Sequence, residues 1–529
     1  MMKLKSIVSI AVIAAMLCTG LAGCSQKTDS AKSTEESASE APAETDGTLV
    51  FACESKSAIN PLVNENEMTD IVFSGLLKYD GNNKPVEDLA ESYSYDEETM
   101  TYTFKLHDDV KWHDGEDFTV DDVLFTYKLL TEDETLSSSV TSDYKDIESI
   151  EKVDDHTVSI KMKAYNVAIS NYFTIGILPQ HLLEGKDVTT DTFNQNPVGT
   201  GRYKFVSWDT AGGTITFESN EEYYDKVPNI KKLIFKPVDN KTTKTSMLQT
   251  GEVDLAWLDA TFAKTFEGKD GFTITKYKTA DFRGVSMNFN RDFWKNNADS
   301  VGVLNYAVDK EAIVSSVLDG EGVAAYSPIQ LSEMGGNTGA DIYTYDTEKF
   351  AEEMEKLGWK KGSDGIYERN GQKFEFTVHI TDSEEERVDI GKLLAKQLED
   401  AGVKMDIAID SSWDSTEFDG FVYGEACQYD ADQCFKMFTS DGSQNSQKYS
   451  NEKVDELLSA ARHERDQSVR KELYGEFEEV YAKQPSILLI AYLDGFYVGT
   501  SRLKGLDTSR VLGHHARGVM WNVEEWTLE

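Results

Sequence analysis

Two cysteines, Cys427 and Cys434, frame the stretch GEACQYDADQC, which also carries Glu425, Asp430 and Asp432. Such a loop is open to metal binding, to a disulfide or to thiol chemistry. A mixed Cys/Asp set without histidine matches no common metal site. A Cys427–Cys434 disulfide is geometrically feasible in a loop, and so is a pair of small buried thiols; both readings stay open. Elsewhere there is no G-x-S-x-G, H-E-x-x-H, phosphate loop or C-x-x-C. The eight histidines are scattered. His113, in KWHDG, is expected to orient a turn, and the adjacent His514 and His515 to point to opposite faces of a surface strand. With 94 Asp and Glu, a carboxylate pair is expected by chance. This lowers the standing of an enzyme without removing it, and no metal or cofactor is called for.

The elements that would position these residues belong to a long, acidic chain. It has 529 residues and a net charge of −41. That is too long for one core, so two or three domains are expected. Hydrophobic residues make up 40%, enough to bury cores. The acidic excess argues against nucleic acid and anionic lipid, and its spread along the chain describes a solvated surface.

The N-terminus has Lys3 and Lys5, an apolar run from Ile7 to Leu17, then LAGC. This is the pattern of an export signal over 1–23, too short to span a bilayer. LAGC resembles the lipobox of bacterial lipoproteins, which implies a lipid on Cys24 and a place on the outer face of the cell membrane. Residues 25–46 contain no aromatic or large aliphatic side chain, so 24–46 reads as a disordered tether. Once Cys18 has left with the signal and Cys24 is lipidated, Cys53, Cys427 and Cys434 remain, an odd count that describes no disulfide framework.

Order is expected from TLVFAC onward. Alternation at Tyr102, Phe104 and Leu106 predicts a strand. A helix over FTVDDVLFTYKLLTED is capped by Thr119 with Asp122 three residues on. HTVSIKMK reads as a strand and RYKFVSWDTAGGTITFESN as a hairpin. From about Phe282 the pattern turns to alternating helix and strand. One helix starts at Asp309 and stops at Gly320. Another places Ile390, Leu394 and Leu398 on one face and ends at Gly402 before the strand VKMDIAI, a βαβ signature. Helices around 454–462 and 469–483 precede ILLIAYL. A β-heavier region and an α/β region follow, with a ligand cleft expected between them.

PVEDLAESYSYDEETMTYTFKLHDDVKWHDGEDFTVDDVLFTYKLL (Pro85–Leu130) resembles the signature of the peptide/nickel class of extracellular solute-binding proteins, family 5. NPVGTGRYKFVSW resembles the family's proline–glycine turn, with Arg202 where proline is usual. MLQTGEVDLAW, VLNYAVDKEAIVSSVLDGEG and YSNEKVDELLSAARHERDQSVRKELYGEFEEVY follow in the family's order. The resemblance implies an α/β, two-lobed periplasmic-binding-protein-like fold with a hinge and an extra β-rich domain. It places domain I at 47–78, 190–282 and 490–529, domain II at 79–189 and domain III at 283–489. It also implies a monomer that binds short peptides by β-augmentation and lobe closure, then docks on an ABC permease with a cytoplasmic ATPase.

In peptide-binding members, the loop after FDGFVYG carries an aspartate that pairs with the ligand ammonium. By resemblance that position is Gln428, with Tyr429 matching and Glu425 replacing a tryptophan. Three explanations are open: Glu425 restores the charge, the ligand lacks a free amino terminus, or the register is off and Asp430 serves. Cys427 belongs to the same loop. Nickel-binding members use cleft arginines, and here NYFTIGILPQH has none. Arg283 is the cationic candidate near the cleft edge, for a ligand carboxylate or for the surface, with Phe282 beside it to cover a ligand face. Trp257 and Trp413 are further aromatic candidates, though residues of this type belong more often to a core than to a pocket. Ser55, Asn64 and Asn66 are candidates by position. Other cargoes stand as alternatives: a nickel or haem chelate, an oligosaccharide or an opine. So do a peptide-sensing receptor and a secreted hydrolase.

Overall fold

The computed structural model describes residues 47–209, 211–330, 342–411 and 417–529. The expected signal, Cys24, the tether and Trp413 lie outside them. Among the described residues no helix is long and apolar enough to cross a membrane.

TLVFAC forms β1 (Thr48–Cys53). A separate antiparallel sheet follows, in the order β2 (Ala90–Asp96), β3 (Thr101–Leu106), β5 (Thr157–Met162), β4 (Ile147–Asp154). Tyr102, Phe104 and Leu106 of β3 all turn inward. Helix α1 (Val120–Glu132) packs on β4 and β5. Its start is the expected capping box: Asp122 Oδ2 accepts from Thr119 N at 2.9 Å, and Thr119 Oγ1 accepts from Asp121 N at 3.2 Å.

The main sheet has eleven strands. The expected hairpin supplies β6 (Tyr203–Trp208) and β7 (Ile215–Ser219) at one edge. Next come β8 (Lys232–Pro237), β1 and β9 (Leu255–Leu258), with β1 parallel to both neighbours. Two long antiparallel strands, β10 (Phe272–Met287) and β15 (Ile487–Thr500), carry the sheet onward, and β11 (Gly322–Ala324) pairs on β15. The far end is β14 (Gly420–Ala426), β12 (Glu375–Thr381) and β13 (Lys404–Asp410).

Helix α2 (Lys310–Val317) is capped by Asp309, whose Oδ1 accepts from Ala312 N at 2.9 Å. Helix α3 (Glu385–Ala401) joins the parallel pair β12 and β13, as the βαβ pattern predicts. It ends at Gly402, whose φ of +99° is the left-handed cap that glycine adopts without strain. Past β14 come α4 (Gln433–Phe438), α5 (Glu452–His463) and α6 (Gln467–Lys483).

Two large hydrophobic cores divide this framework. One draws on residues between Leu49 and Tyr277 and again between Tyr497 and Trp526. The other draws only on residues from Phe282 to Leu493. A smaller third core, with Ala52, Leu248 and Val498, completes the first half. The chain therefore passes between the large cores twice, along β10 and β15. Their mutual register slips between Lys278 and Phe282, a bulge that leaves Thr279–Asp281 outside the ladder at the crossing. Here Thr279 bridges to Leu512 instead.

Candidate ligand cleft

A cavity of about 380 Å³ opens between the two cores. The 61–70 loop forms one wall, the 139–144 and 171–175 segments another, the loop after β14 a third, and the 514–518 turn closes the set. Asn66 shapes the first wall: buried, it donates from Nδ2 to Ala58 O (3.2 Å) and Asn64 O (2.8 Å) and accepts from Met68 N (3.0 Å). Those bonds fold the loop so that Glu65, Glu67 and Asp70 line the cavity together.

The opposite wall grows from β14, which pairs with β10 through Gly424↔Arg283 and Glu425↔Phe282. Glu425 accepts from Ala426 N (3.0 Å) and from the Tyr423 hydroxyl (3.3 Å) while lining the cavity. Gln428 Nε2 donates to Val511 O at 3.1 Å. Its Oε1 lies so near Gly513 that a Cβ there would sit 2.2 Å away, so any larger residue would push the Gln428 amide aside. Tyr429 stacks flat on Tyr79 across the cleft, ring centres 3.8 Å apart. Such a pair adds about 0.5–1.5 kcal/mol beyond its burial. Lys436–Asp143 (2.8 Å), Tyr172 Oη to Asp432 (3.2 Å) and Ser142–Ser443 (2.9 Å) join the same two sides.

The charges are unequal. Lys436 is spent on Asp143. Among the described residues, Glu65, Glu67 and Asp70 form no side-chain ion pair, and Glu67 Oε2 is enclosed without a hydrogen-bond partner. Enclosure first, and repulsion from Glu65 and Glu67 second, push the Asp70 carboxyl up to about 7 against the pull of Arg510 and Arg202. Asp70 still meets solvent through the cleft. Arg517, also exposed, lines this cavity without an ion pair among the described residues. An annex of about 100 Å³ shares Glu65, Asp70, Tyr79 and Tyr429 and adds Arg202, which pairs with Glu524 and donates to Trp521 O at 3.0 Å.

His514 and His515 do not lie in a strand. They sit in a tight turn with rings 4.0 Å apart, and His515 and Ala516 both adopt positive φ (54° and 53°). Non-glycine residues hold that region at a cost of about 1–3 kcal/mol each, so neighbours must fix them. Asp281, at the strand crossing, does so: it accepts from His515 N (3.0 Å), pairs with His514 Nδ1 (2.8 Å) and takes the Arg283 guanidinium. Tyr497 Oη holds Ala516 O at 3.0 Å. His515 Nδ1 meets Glu54 at 3.0 Å. Burial alone would raise the Asp281 carboxyl, but Arg283 and His514 win and hold it well below the usual range. Burial pushes His515 down. His514 turns toward the cavity, and its Nε2 has no hydrogen-bond partner among the described residues. His113 does orient a turn: Gly199 N donates to its Nδ1 (3.2 Å) and its Nε2 meets Gly201 O (2.9 Å).

Of the residues singled out in the sequence, Asn66, Glu425, Gln428 and Tyr429 come together at the cavity. Others do not. Phe282 is wholly enclosed in the second core against Tyr423 and Tyr492. Arg283 is 2% exposed, its charge consumed by Asp281 and by Glu386 at 2.9 Å, and it does not line the cavity. Asp430 is taken by both Arg470 nitrogens. Ser55 binds Asp239 at the surface (2.9 and 3.0 Å), and Asn64 serves through its backbone. Trp257 stacks on His515 beneath the Lys241 ammonium and lines a separate cavity of about 190 Å³. Cys427 packs toward the second core. Glu65, Glu67, Asp70 and Arg517 escaped the sequence reading, which placed His514 on a surface strand and not at the cleft.

Two lobes with separate cores, joined by two strands and facing each other across a cavity, define a hinged binding protein. The family described as "Bacterial extracellular solute-binding proteins, family 5 Middle" matches residues 84–459, and the chain belongs to it. It is 28% identical to the oligopeptide-binding protein AppA of Bacillus subtilis, over the full length of both. The structure of NikZ from Campylobacter jejuni in complex with Ni(L-His) superposes with a TM-score of 0.84 at 32% identity, covering 91% of this chain and 100% of that one. That of B. subtilis AppA with a nonapeptide gives 0.79 at 26% identity, over 91% and 99%.

Proposed function

We propose that the chain captures short peptides in this cleft outside the cytoplasm and delivers them to an ABC importer, without a covalent step. The observation that carries this is the charge layout. Glu65, Glu67, Asp70 and Glu425 face the cavity without a cation of their own, and Arg517 stands beside them. A free peptide presents the complement, an ammonium for the acids and a carboxylate for the guanidinium. At about 380 Å³ the cavity is near the lower end of ligand-site volumes, which favours short cargo. Relatives with peptide names support the same reading.

In this reading Gln428 is no ammonium partner; it braces the 511–513 segment while the acids supply the charge. Cys24 carries the lipid anchor, 25–46 is the tether, and the protein acts as a monomer. Domain I (47–78, 190–282, 490–529) and domain II (79–189) form one lobe and domain III (283–489) the other, a division that the two cores support. Calorimetric titration with di- to hexapeptides and their N-acetylated counterparts tests the cargo. Free-amino peptides should bind and acetylation should cost at least about tenfold, or 1.4 kcal/mol. Absence of peptide binding removes this cargo. Cys24→Ala should move the protein from membrane to medium, and unchanged fractionation removes the anchor.

One observation favours a second cargo, a metal–histidine chelate. His514 is held at Nδ1 by Asp281 and presents Nε2 to the cavity, the arrangement of a metal-ligating histidine with its carboxylate support. The likeness to NikZ with Ni(L-His) points the same way. Nickel with two equivalents of L-histidine should then bind tightly, and His514→Ala should weaken it far more than it weakens peptide binding.

A further inference from the structure

The segment from Cys427 to Cys434 joins β14 to α4 and lines the cleft through Gln428, Tyr429 and Gln433. Its middle is anchored to the second lobe, Asp430 by Arg470 and Asp432 by Arg462 (Nε–Oδ1 2.9 Å). Tyr429 reaches the other lobe through Tyr79. Its two ends are thiols. Cys427 Sγ and Cys434 Sγ lie 3.6 Å apart, and both are free. A disulfide needs about 2.05 Å, so bond formation requires the two sulfurs to close the remaining gap. Among the described residues the other cysteine is Cys53, buried in the first core.

The family is extracellular, where paired thiols oxidise. We propose that Cys427 and Cys434 are a modification site that closes to a disulfide outside the cytoplasm and staples the loop lining the cleft. The oxidant is an external small-molecule disulfide such as oxidised glutathione. The Cys427 thiolate attacks one of its sulfurs, forming a mixed disulfide and releasing one glutathione thiol. Cys434 then loses its proton to solvent, attacks the Cys427 sulfur and releases the second glutathione. Two protein thiols are oxidised and one external disulfide is reduced to two thiols. The order follows from access. Cys427 is partly exposed, whereas Cys434 is fully buried and burial raises its thiol well above the usual range. The site is independent of which cargo the cleft takes.

The test uses the full chain, purified without reductant and equilibrated with oxidised glutathione. Its intact mass should lie about 2 Da below that of the reduced protein, for the two hydrogens lost. A cross-linked 427–434 peptide should appear, with Cys53 alkylated after unfolding in both states. Cys427→Ser should abolish the 2 Da loss, and Cys434→Ser should replace it with a glutathione mixed disulfide trapped on Cys427. Reduction should lower Tm by about 2 °C and speed amide exchange in 428–434 at least threefold. Alkylation of both thiols after oxidation overturns the site. A disulfide that leaves exchange in 428–434 unchanged overturns the staple.

Discussion

At the strand crossing, Asp281 meets Arg283, His514 and the His515 amide, Glu386 meets Arg283, and Glu54 meets His515. In the cleft, Glu65, Glu67 and Asp70 meet one another and no side-chain cation within ion-pair distance among the described residues. The titrations diverge accordingly: Asp281 is held far below the ordinary carboxylate range, and Asp70 is pushed up to about 7. Both regions are acidic; the crossing is buried and paired, whereas the cleft acids stay open to solvent and lack ion-pair partners among the described residues. Paired charges at the crossing fix a geometry. Unpaired charges in the cleft stay available, and their mutual repulsion is what a cationic ligand relieves.

The largest expected effect comes from breaking the first region. Asp281→Ala leaves the Arg283 charge buried with Glu386 as its remaining ion-pair partner, and denaturant unfolding should show a loss of about 3–5 kcal/mol. A loss below about 1 kcal/mol would mean the crossing charges are as dispensable as surface ones. The Glu65→Gln/Glu67→Gln double variant should do the reverse. Stability should hold within about 0.5 kcal/mol or rise, while affinity for a free-amino dipeptide falls about tenfold or more. Loss of stability with affinity unchanged would erase the contrast. Tyr429→Ala removes the stack on Tyr79 and should cost about 0.5–1.5 kcal/mol of ligand affinity, since the rings meet across the cleft.

The smallest effect, because Asp70 is open to solvent that screens its neighbours, is the pH dependence of its carboxyl. Its carboxyl rises from 3.8 to about 7 on folding, so its contribution to stability is complete below about pH 4 and is lost as pH climbs through 7. Asp70→Asn should flatten the stability profile between those values. A cationic ligand favours the ionised form, so binding near pH 7 should release protons, seen as a dependence of calorimetric heat on buffer ionisation enthalpy. Proton uptake would reverse the assignment.

What the sequence disclosed was local. The Thr119–Asp122 box, the Asp309 cap and the Gly402 stop are each decided within a few residues, and the structure shows all three. The change of pattern near Phe282 is also local, and the core membership switches there. The binding residues were harder because strand faces and partners are set by distant chain. Arg283 and Phe282 lie beside the cleft in sequence, but β14 and β15 on either side of β10 enclose both. Asp430 was a fair candidate until Arg470, forty residues on, claims it. Glu65, Glu67 and Asp70 were lost among 94 acidic residues. The signal that marks them, the bracing of their loop by Asn66, is a hydrogen-bond pattern that only the folded loop displays.

The passage of β10 and β15 between the cores also sets a timetable for folding. The second core is complete once the chain has been made to Leu493, and its two ends already lie side by side where Phe282 pairs with Tyr492. The first core contains Leu49 near one terminus and Trp526 near the other. A chain that emerges N-terminus first can finish the inserted lobe while the enclosing one still lacks Val519, Met520 and Trp526. Shortening the chain by its last dozen residues should therefore leave an intact inner lobe on an open outer one, whereas a cut within 282–493 spares the outer.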